Sequence, residues 1–287
     1  MSKYINPYTD FGFKKLFGEE ANKDLLIDFL NSVLPETNRV RDLTFRNTHY
    51  LPDSRFDRHA VLDIACTGQN DETFIVEMQK AKQDFFKDRA LFYSSYPIQH
   101  QGPKGDDWNF KLNPIFFIAV LDFLYEEFEE LRKLQKVIML KDEDNNVFSE
   151  TLKMIFLQMP LFTKTESELV TQQDKWLYFL KNLTSLEDIP AILREPVFEK
   201  AFHLAEYYKL TVEEQAIYQA DMKNHRDYNN TIRTAAKDGE ARGIIKGRAE
   251  GMAEGIIQTA YNLNRLGVDY ATIIKATGLS VDEIDKL

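Results

Sequence analysis

Two apolar runs, VLDIAC and TFIVEMQ, stand on either side of a polar turn within residues 61–79. The turn begins at Gly68 and reads Gly-Gln-Asn-Asp-Glu, a composition typical of the connection in a β-hairpin. An acid interrupts each run, Asp63 in the first and Glu77 in the second. An unpaired carboxylate is costly to bury, so the pattern predicts two acids that are neutralised, solvated at a cleft or bound to a cation.

The length of the connecting loop decides whether the two acids face each other. Side chains alternate along a strand, so a shift of one residue moves every side chain to the other face of the sheet. A two-residue turn would place Asp63 opposite Met78, whereas an odd loop such as Gln69–Asp71 places it opposite Glu77. We predict the odd loop, because it keeps the polar groups on one face.

The hydrophobic pattern predicts strands and helices in alternation up to residue 160. An amphipathic stripe predicts the first helix, with Asn22 as its cap and Pro35 after its end. A continuous apolar run, NPIFFIAVLDF, predicts a strand that is buried on both faces. In chain order the predicted elements are a helix over Asn22–Leu34, a strand over Val40–Tyr50, a charged turn over Leu51–His59, the hairpin, a helix over Phe85–Gln99, a loop over Gly102–Asp107, a strand over Asn113–Phe123, and a second hairpin that joins Leu134–Leu140 to Thr151–Gln158.

Helical patterns dominate the chain after residue 160. Helices are predicted within Lys164–Asn182 and over Pro196–Lys209 and Thr211–Asp238, the last with Thr211 and Glu214 at the spacing of a capping box. Two short helices are predicted within Asp269–Leu287. We therefore divide the chain into a core over residues 1–160, a helical subdomain over 161–238 and a tail over 239–287.

A glycine repeat marks the start of this tail. Five glycines recur every four residues from Gly239 to Gly255. Because a glycine inside a helix costs about 1 kcal/mol relative to alanine, such a stripe needs a reason. It indicates either a helix that approaches another helix closely or a labile linker. We favour the interaction helix, and we expect a homo-oligomer that forms through it.

The order of these motifs resembles that of a known nuclease family. An aspartate, a hairpin and then Glu-x-Gln resemble the PD-(D/E)XK nuclease superfamily, with glutamine at the position of the signature lysine. The opening NPYTDFGFKKLFG, the helix NKDLLIDFLNSVL, the segment FFKDRALFYSSYPIQHQG and the ending TGLSVDEI are similar to the recombination-promoting nuclease/putative transposase family. The resemblance covers nearly the whole chain. It implies an α/β fold with a mixed sheet, an αβββαβ core like that of restriction endonucleases and a helical C-terminal extension.

The resemblance also implies a site. Asp63 and Glu77 would hold Mg²⁺ or Mn²⁺ together with the backbone carbonyl of Met78, and the substrate would be DNA. Gln79 would orient the attacking water. A lysine can stabilise an anionic transition state, whereas a neutral amide orients water and phosphate only through hydrogen bonds.

Arg89 and Tyr93 are further candidates on the helix that follows the hairpin. They are four residues apart and therefore share one face. An arginine there suits a scissile phosphate, which it can bind through two parallel hydrogen bonds. The alternative is a partly buried arginine that pairs with Asp88 or Glu77.

The aromatic and basic segment near the N-terminus offers phosphate ligands as well. Lys14 or Lys15 could contact phosphate, or both could simply face solvent while the phenylalanines pack inward. Asp10 lies either near the metal or at the start of a helix as its N-cap. Asp24 and Asp28, on the predicted first helix, could add an acid to the site, although such residues more often face solvent.

Charge and cysteine content restrict the remaining possibilities. The net charge is −10, and most of the excess acid lies after residue 122. Because counterion release on binding DNA needs only a local basic patch, this balance predicts weak, salt-sensitive and poorly specific binding. A single cysteine, Cys66, excludes an internal disulfide and fits a reducing cytoplasm. The chain has no apolar run of about eighteen residues, and its opening lacks an apolar signal core, so we expect no membrane partner.

These observations predict a Mg²⁺-dependent DNA endonuclease of low sequence specificity with a link to DNA recombination. The alternative is a catalytically weak or inactive nuclease-fold protein that binds DNA or protein through its C-terminal helices. A transposase that acts by the RNase H-like route would need a different acid triad, and we place none in this sequence.

Overall fold

Short strands and helices alternate up to residue 158, and the chain is helical thereafter. The computed structural model describes residues 2–50, 60–82, 84–102, 109–125 and 129–287. The strands are β1 (Leu43–Phe45), β2 (His49–Tyr50), β3 (Ala60–Val61), β4 (Ile64–Gly68), β5 (Thr73–Gln79), β6 (Ile115–Leu121), β7 (Gln135–Lys141) and β8 (Val147–Gln158). The α-helices are α1 (Asp10–Phe17), α2 (Lys23–Val33), α3 (Phe86–His100), α4 (Gln172–Asn182), α5 (Pro196–Ala205), α6 (Val212–Arg265), α7 (Tyr270–Thr277) and α8 (Val281–Ile284).

A mixed sheet of six strands carries the fold, in the order β1-β4-β5-β6-β8-β7. The three central strands β5, β6 and β8 run parallel, and the outer pairs are antiparallel. Every residue of β6 is buried, as a strand covered on both faces requires. The prediction for the NPIFFIAVLDF segment is therefore confirmed, as is the α/β fold. The order α2, β1, β4, β5, α3, β6 reproduces the αβββαβ core, with β2 and β3 inserted as a separate two-stranded ribbon.

Two apolar layers cover the faces of the sheet. On one face, residues of α1, α2, α4 and α5 pack against alternate residues of the strands, including Phe74, Val76 and Met78 of β5. On the other face, Ile75 of β5 packs in a smaller cluster with Phe86 and Ala90 of α3. Because side chains alternate along β5, successive residues of this strand belong to different layers.

The first helical layer follows from the predicted amphipathic stripe. The apolar side chains of α2 are all buried, which confirms that prediction; they are Leu25, Leu26, Phe29, Leu30 and Val33. Asn22 stands at the N-cap position but makes no side-chain cap. Its amide nitrogen donates instead to the carbonyl of Lys15, 3.2 Å away, and so joins the start of α2 to the end of α1.

Two predicted strands are interrupted. The segment Val40–Tyr50 forms β1 and β2 instead of one strand, and VLDIAC is split between β3 and β4. At the second break, the amide of Leu62 donates to the carbonyl of Thr48 at 3.0 Å, and the amide of Asp63 donates to a carboxylate. Neither amide continues the ladder with β5, so β4 begins only at Ile64. The predicted turn Leu51–His59 and most of the predicted loop Gly102–Asp107 lie outside the described residues.

The second hairpin and the later helices agree with the pattern. Strands β7 and β8 pair antiparallel and extend the sheet at its edge. At the start of α6, Thr211 and Glu214 form the predicted capping box, with backbone-to-side-chain distances of 2.8 and 3.2 Å. The helix predicted over Thr211–Asp238 does not stop there, because α6 continues through the glycine repeat to Arg265.

The residues group into two compact units, Met1–Met222 and Lys223–Leu287. In the second unit, Ala260, Ile273 and Ile284 form a small core in which α7 and α8 pack with the end of α6. A Cβ added at any of the five repeat glycines would meet nothing within 4 Å, so packing within the described chain does not require them. The division at residues 160 and 238 remains a prediction. Among the described helices, none is both long and apolar enough to cross a membrane.

Candidate active site

The register of β4 and β5 brings the two acids face to face. Ile64 pairs with Val76, and the same register extended by one position sets Asp63 opposite Glu77. The amide of Gly68 donates to the carbonyl of Glu72 at 2.9 Å and closes a loop of three residues, Gln69–Asp71. Asp71, the last of the three, has a positive φ of 63°, as three-residue hairpin loops require. The predicted odd loop is confirmed.

Hydrogen bonds lock the facing acids to each other's strands. The amide of Asp63 donates to Oε1 of Glu77 at 3.1 Å, and the amide of Met78 donates to Oδ2 of Asp63 at 2.8 Å. The side-chain amide of Gln79 donates to the other Glu77 oxygen, Oε2, at 2.9 Å. Glu77 is 1% exposed and Gln79 is 8% exposed. Four of the predicted site residues, Asp63, Glu77, Met78 and Gln79, thus form one hydrogen-bonded group at the C-terminal end of β5.

Burial of this group favours protonated carboxyls. Removal from water and, second, the nearby charge of Asp63 together raise the pKa of Glu77 to about 8. Burial also raises the pKa of Asp63, against the hydrogen bond from the Met78 amide. Two close acids with raised pKa values need a shared proton or a cation between them. The pair can therefore bind either a proton or a metal cation.

The donor atoms at the pair fit a hard divalent cation. Apart from the two carboxylates, the carbonyl of Met78 is available on the same side, because the amide and carbonyl of one strand residue point in the same direction and this amide points at Asp63. No cluster of three or more His, Cys, Asp or Glu side chains that could hold a metal exists among the described residues. Mg²⁺ accepts such a site, since it binds through one or two carboxylates and keeps waters and substrate phosphates as its other ligands.

Arg89 reaches this site from α3. Its guanidinium lies 3.8 Å from Oε2 of Glu77 and stands over the ring of Tyr93, with Cζ 4.9 Å from the ring centroid. The sequence indicated Asp88 or Glu77 as the partner of a partly buried arginine, and the structure shows the pair with Glu77. That pairing places the arginine at the carboxylates, and its side chain remains 33% exposed. Tyr93 joins the group through its contact with the arginine.

The first turn of α1 approaches from the other side. Thr9 is the N-cap of α1, with Oγ1 accepting from the amide of Gly12 at 3.0 Å, so Asp10 as N-cap was wrong by one residue. Asp10 pairs with Lys14 at 2.8 Å. The charge of Asp10 raises the pKa of Asp63 and that of Lys14 lowers it, so both lie within electrostatic range of the acid pair.

Lys15 has a different set of partners. Its ammonium lies 3.0 Å from Glu19 and 2.7 Å from Glu214, and so joins α1 to the start of α6. Of the two candidate lysines, Lys14 is the one that acts on the acid pair.

The acids of α2 have structural partners. Asp28 accepts hydrogen bonds from the indole nitrogen of Trp176 at 2.6 Å and from Gln172 at 2.8 Å. Asp24 pairs with Lys200 at 2.5 Å. Asp28 therefore holds α2 to α4, and Asp24 holds α2 to α5.

Two residues near the site were not anticipated. Lys80 follows Gln79 directly and is partly buried; burial lowers the pKa of its ammonium, against the charges of Asp221, Asp10 and Asp63. Asp221 belongs to α6 and accepts a hydrogen bond from the amide of Phe11 at 3.0 Å. The adjacency of Lys80 to the Glu-x-Gln motif was a usable signal. Asp221 gives none in the sequence, because only the folded chain brings α6 to the start of α1.

Comparison with known families adds one finding. A family described as PD-(D/E)XK nuclease family transposase matches residues 7–235. No curated protein and no solved structure matches the chain. The matched region begins before α1 and ends within α6, so it includes the whole sheet and every side chain of the site.

Proposed function

Because the chain belongs to the PD-(D/E)XK nuclease family transposases, we propose that it is a Mg²⁺-dependent DNA endonuclease of low sequence specificity, with a role linked to DNA recombination. Membership alone indicates a nuclease-type protein with DNA as substrate. The observation that supports the finer proposal is the buried pair Asp63–Glu77, held in register by a three-residue loop and by reciprocal hydrogen bonds.

In this proposal each member of the group has one task. Asp63, Glu77 and the carbonyl of Met78 would hold Mg²⁺ or Mn²⁺. Bound there, the cation would supply Lewis acidity, which polarises water and neutralises charge on the phosphate. The amide nitrogen of Gln79 already donates to Glu77, so its amide oxygen is the atom that orients the attacking water.

Cations on the surrounding elements position the phosphate. Arg89 would release Glu77 and donate from its partly exposed guanidinium to a nonbridging phosphate oxygen. Lys14, in the last turn of α1, would approach from the other side. A carboxylate that holds a cation does not easily serve as general base, so we assign the proton to solvent or to a substrate phosphate.

The overall acidity of the chain supports low specificity. With a net charge of −10, only local cations can contact phosphates, and each such contact contributes sequence-independent, salt-sensitive affinity. We propose no base-reading element, because the helix α8 begins with the acidic pair Asp282 and Glu283 in its first turn.

A second function is favoured by the surface of α6. Its second half exposes large apolar side chains, among them Ile244, Ile245 and Met252, at 63%, 70% and 65%. Such a surface suits a helix that docks on another protein chain, so the alternative is a weakly active or inactive nuclease-fold protein that acts through its C-terminal helices. The same surface supports our proposal that the protein is a homo-oligomer.

Nicking of supercoiled plasmid by the purified protein in Mg²⁺ tests the enzyme directly. Asp63→Asn and Glu77→Gln should each abolish nicking, because each removes a negative charge while keeping the shape of the side chain. Asp71→Asn is the matched control: it makes the same change on the same hairpin, at an exposed loop position where asparagine tolerates the positive φ. Equal nicking by all four proteins would identify a contaminant, and no nicking by any of them would favour the binding function.

A further inference from the structure

Lys80 directly follows Gln79, the last residue of β5, and so comes after three of the four residues of the site. Along β5 the side chains of Phe74, Val76 and Met78 face the layer that contains α1 and α2. Alternation places Lys80 toward the same layer and Glu77 toward α3. The charges that act on Lys80 agree with this placement, because Asp10 belongs to α1 and Asp221 bonds to the start of α1.

Among the described residues, the ammonium of Lys80 has no ion-pair partner, unlike the other cations near the site. Lys14 is paired with Asp10, Lys15 with Glu19 and Glu214, and Arg89 with Glu77. Lys80 forms no salt bridge or hydrogen bond through its side chain within the part of the chain that the structure describes. A partly buried cation gives up hydration, and an anionic partner is what compensates for that loss.

We propose that Lys80 binds the phosphate of the DNA substrate opposite Arg89, so that the phosphodiester is held between one cation from each face of the sheet. This inference rests on the proposed nuclease function. Arg89 approaches the carboxylate pair from α3, and Lys80 approaches it from the side of α1. A phosphate that lies over the end of β5 contacts both Arg89 and Lys80, while the carboxylates between these two side chains remain available to the divalent metal ion.

The arrangement gives the site the positive group that Gln79 cannot supply. An amide at that position donates hydrogen bonds but carries no charge. A charge-assisted contact to phosphate is stronger than a neutral one, and it strengthens as negative charge grows on the phosphate oxygens in the transition state. Lys80 therefore contributes both to DNA binding and to the rate of cleavage.

Three variants test this role: Lys80→Gln removes the charge, Lys80→Arg keeps it, and Lys82→Gln is a matched control two residues away at an exposed position. Binding of a short fluorescein-labelled DNA duplex is measured by anisotropy in Ca²⁺ over a series of KCl concentrations. Loss of one phosphate contact should reduce the slope of log K against log[salt] by about 0.9. We expect that reduction for Lys80→Gln only. Plasmid nicking in Mg²⁺ should fall by about 10²-fold in the same variant and recover in Lys80→Arg.

The two assays separate this proposal from the nuclease function. If the wild-type protein nicks DNA and Lys80→Gln matches it in both nicking and salt slope, Lys80 has no such role and the nuclease function stands. If the wild-type protein binds DNA without nicking it, the nuclease function fails, and the salt slope alone still decides whether Lys80 contacts phosphate. A wild-type protein that neither binds nor nicks DNA overturns both. Thermal unfolding of each variant shows whether a change in slope reflects a folded protein.

Discussion

Glu77 accepts a hydrogen bond from the backbone amide of Asp63, across the gap where β4 has not yet begun. The bond uses a main-chain donor, so either a carboxylate or an amide side chain at position 77 can accept it. Glutamine in place of Glu77 therefore keeps this contact and removes the charge. The amide nitrogen that replaces Oε2 then faces Gln79, whose side-chain amide must turn over so that its oxygen accepts. The retained contact makes Glu77→Gln informative about energetics as well as about activity.

Glu77→Gln should stabilise the metal-free protein at alkaline pH. The pKa of Glu77 is raised to about 8 in the folded protein from its ordinary 4.5, so protonation favours the folded state. The resulting stability is fully present below pH 4.5 and is lost as the pH rises through about 8. Glutamine stays neutral, so the free energy of unfolding of the variant should exceed that of the wild type by roughly 2–5 kcal/mol above pH 8.

Urea unfolding in EDTA from pH 4.5 to 9 measures this difference. Asp71→Asn, on the exposed loop of the same hairpin, should follow the wild-type curve. A constant difference between Glu77→Gln and the wild type at all pH values would mean that Glu77 is ionised throughout.

Binding of the divalent cation should release protons from the acid pair. Burial holds both carboxyls in favour of the protonated form, and a ligand carboxylate must be deprotonated to bind metal. Affinity for Mg²⁺ or Mn²⁺ should therefore rise with pH up to about 8 and level off above it. Calorimetry at pH 7 in buffers of different ionisation enthalpy counts the protons released. Glu77→Gln should release fewer, and equal heats in all buffers would contradict the expectation.

Arg89→Gln should lower the rate of DNA nicking more than it lowers the free energy of unfolding. Its guanidinium is partly exposed and 3.8 Å from Glu77, so its pairing contributes little to stability. We expect a fall in the nicking rate of about 10²-fold, with unfolding within about 1 kcal/mol of the wild type. Arg89→Lys should recover only part of the rate, since lysine cannot form two parallel bonds to phosphate. Tyr93→Phe, which keeps the ring beneath the guanidinium, is the control. Full activity of Arg89→Gln would show that Arg89 has no role in the reaction.

A single glycine inserted after Asn70 should inactivate the protein. It makes the loop between Gly68 and Glu72 even, and an even loop cannot keep Asp63 opposite Glu77 without strain. Nicking should be lost and the melting temperature should fall. Insertion of two glycines restores the odd count and should recover both, since lengthening a flexible loop costs little. Inactivation by both insertions would show that loop length itself, rather than register, matters.

Asp28→Ala should destabilise the fold without affecting nicking of the remaining folded protein. The variant leaves the indole nitrogen of the fully buried Trp176 without its acceptor, at a cost of about 1–3 kcal/mol. Asp24→Ala breaks only the exposed pair with Lys200 and should cost less than about 1 kcal/mol. Urea unfolding compares the two. Loss of nicking by well-folded Asp28→Ala would instead place this acid in the site.

The register of the hairpin could be predicted from the sequence. Only an odd loop keeps Asp63 and Glu77 together, and the turn-forming residues between the two runs left room for Gln69–Asp71. The wholly buried strand β6 could also be predicted, because a short continuous apolar run bounded by polar residues fits few other structures. Local patterns of this kind depend on neighbours that are close along the chain.

Contacts between distant segments could not be anticipated. The break before β4 arises because a backbone amide is captured by Glu77, fourteen residues away, and no propensity reports such a bond. Asp221 accepts a hydrogen bond from the amide of Phe11, which lies 210 residues away along the chain. The length of α6 was underestimated for a different reason: helix propensity penalises each repeat glycine, yet the helix passes through all five.

The burial of Glu77 has an evolutionary consequence. Random substitution readily finds replacements that stabilise a protein where activity does not oppose them, and an amide or a methionine at this position would be such a replacement. A lineage that needed only a binding surface would gain by losing the acid and would have no reason to keep Asp63 facing it. We therefore interpret the presence of both acids, at a strand end where burial of each costs free energy of folding, as support for the proposed reaction over a purely binding role.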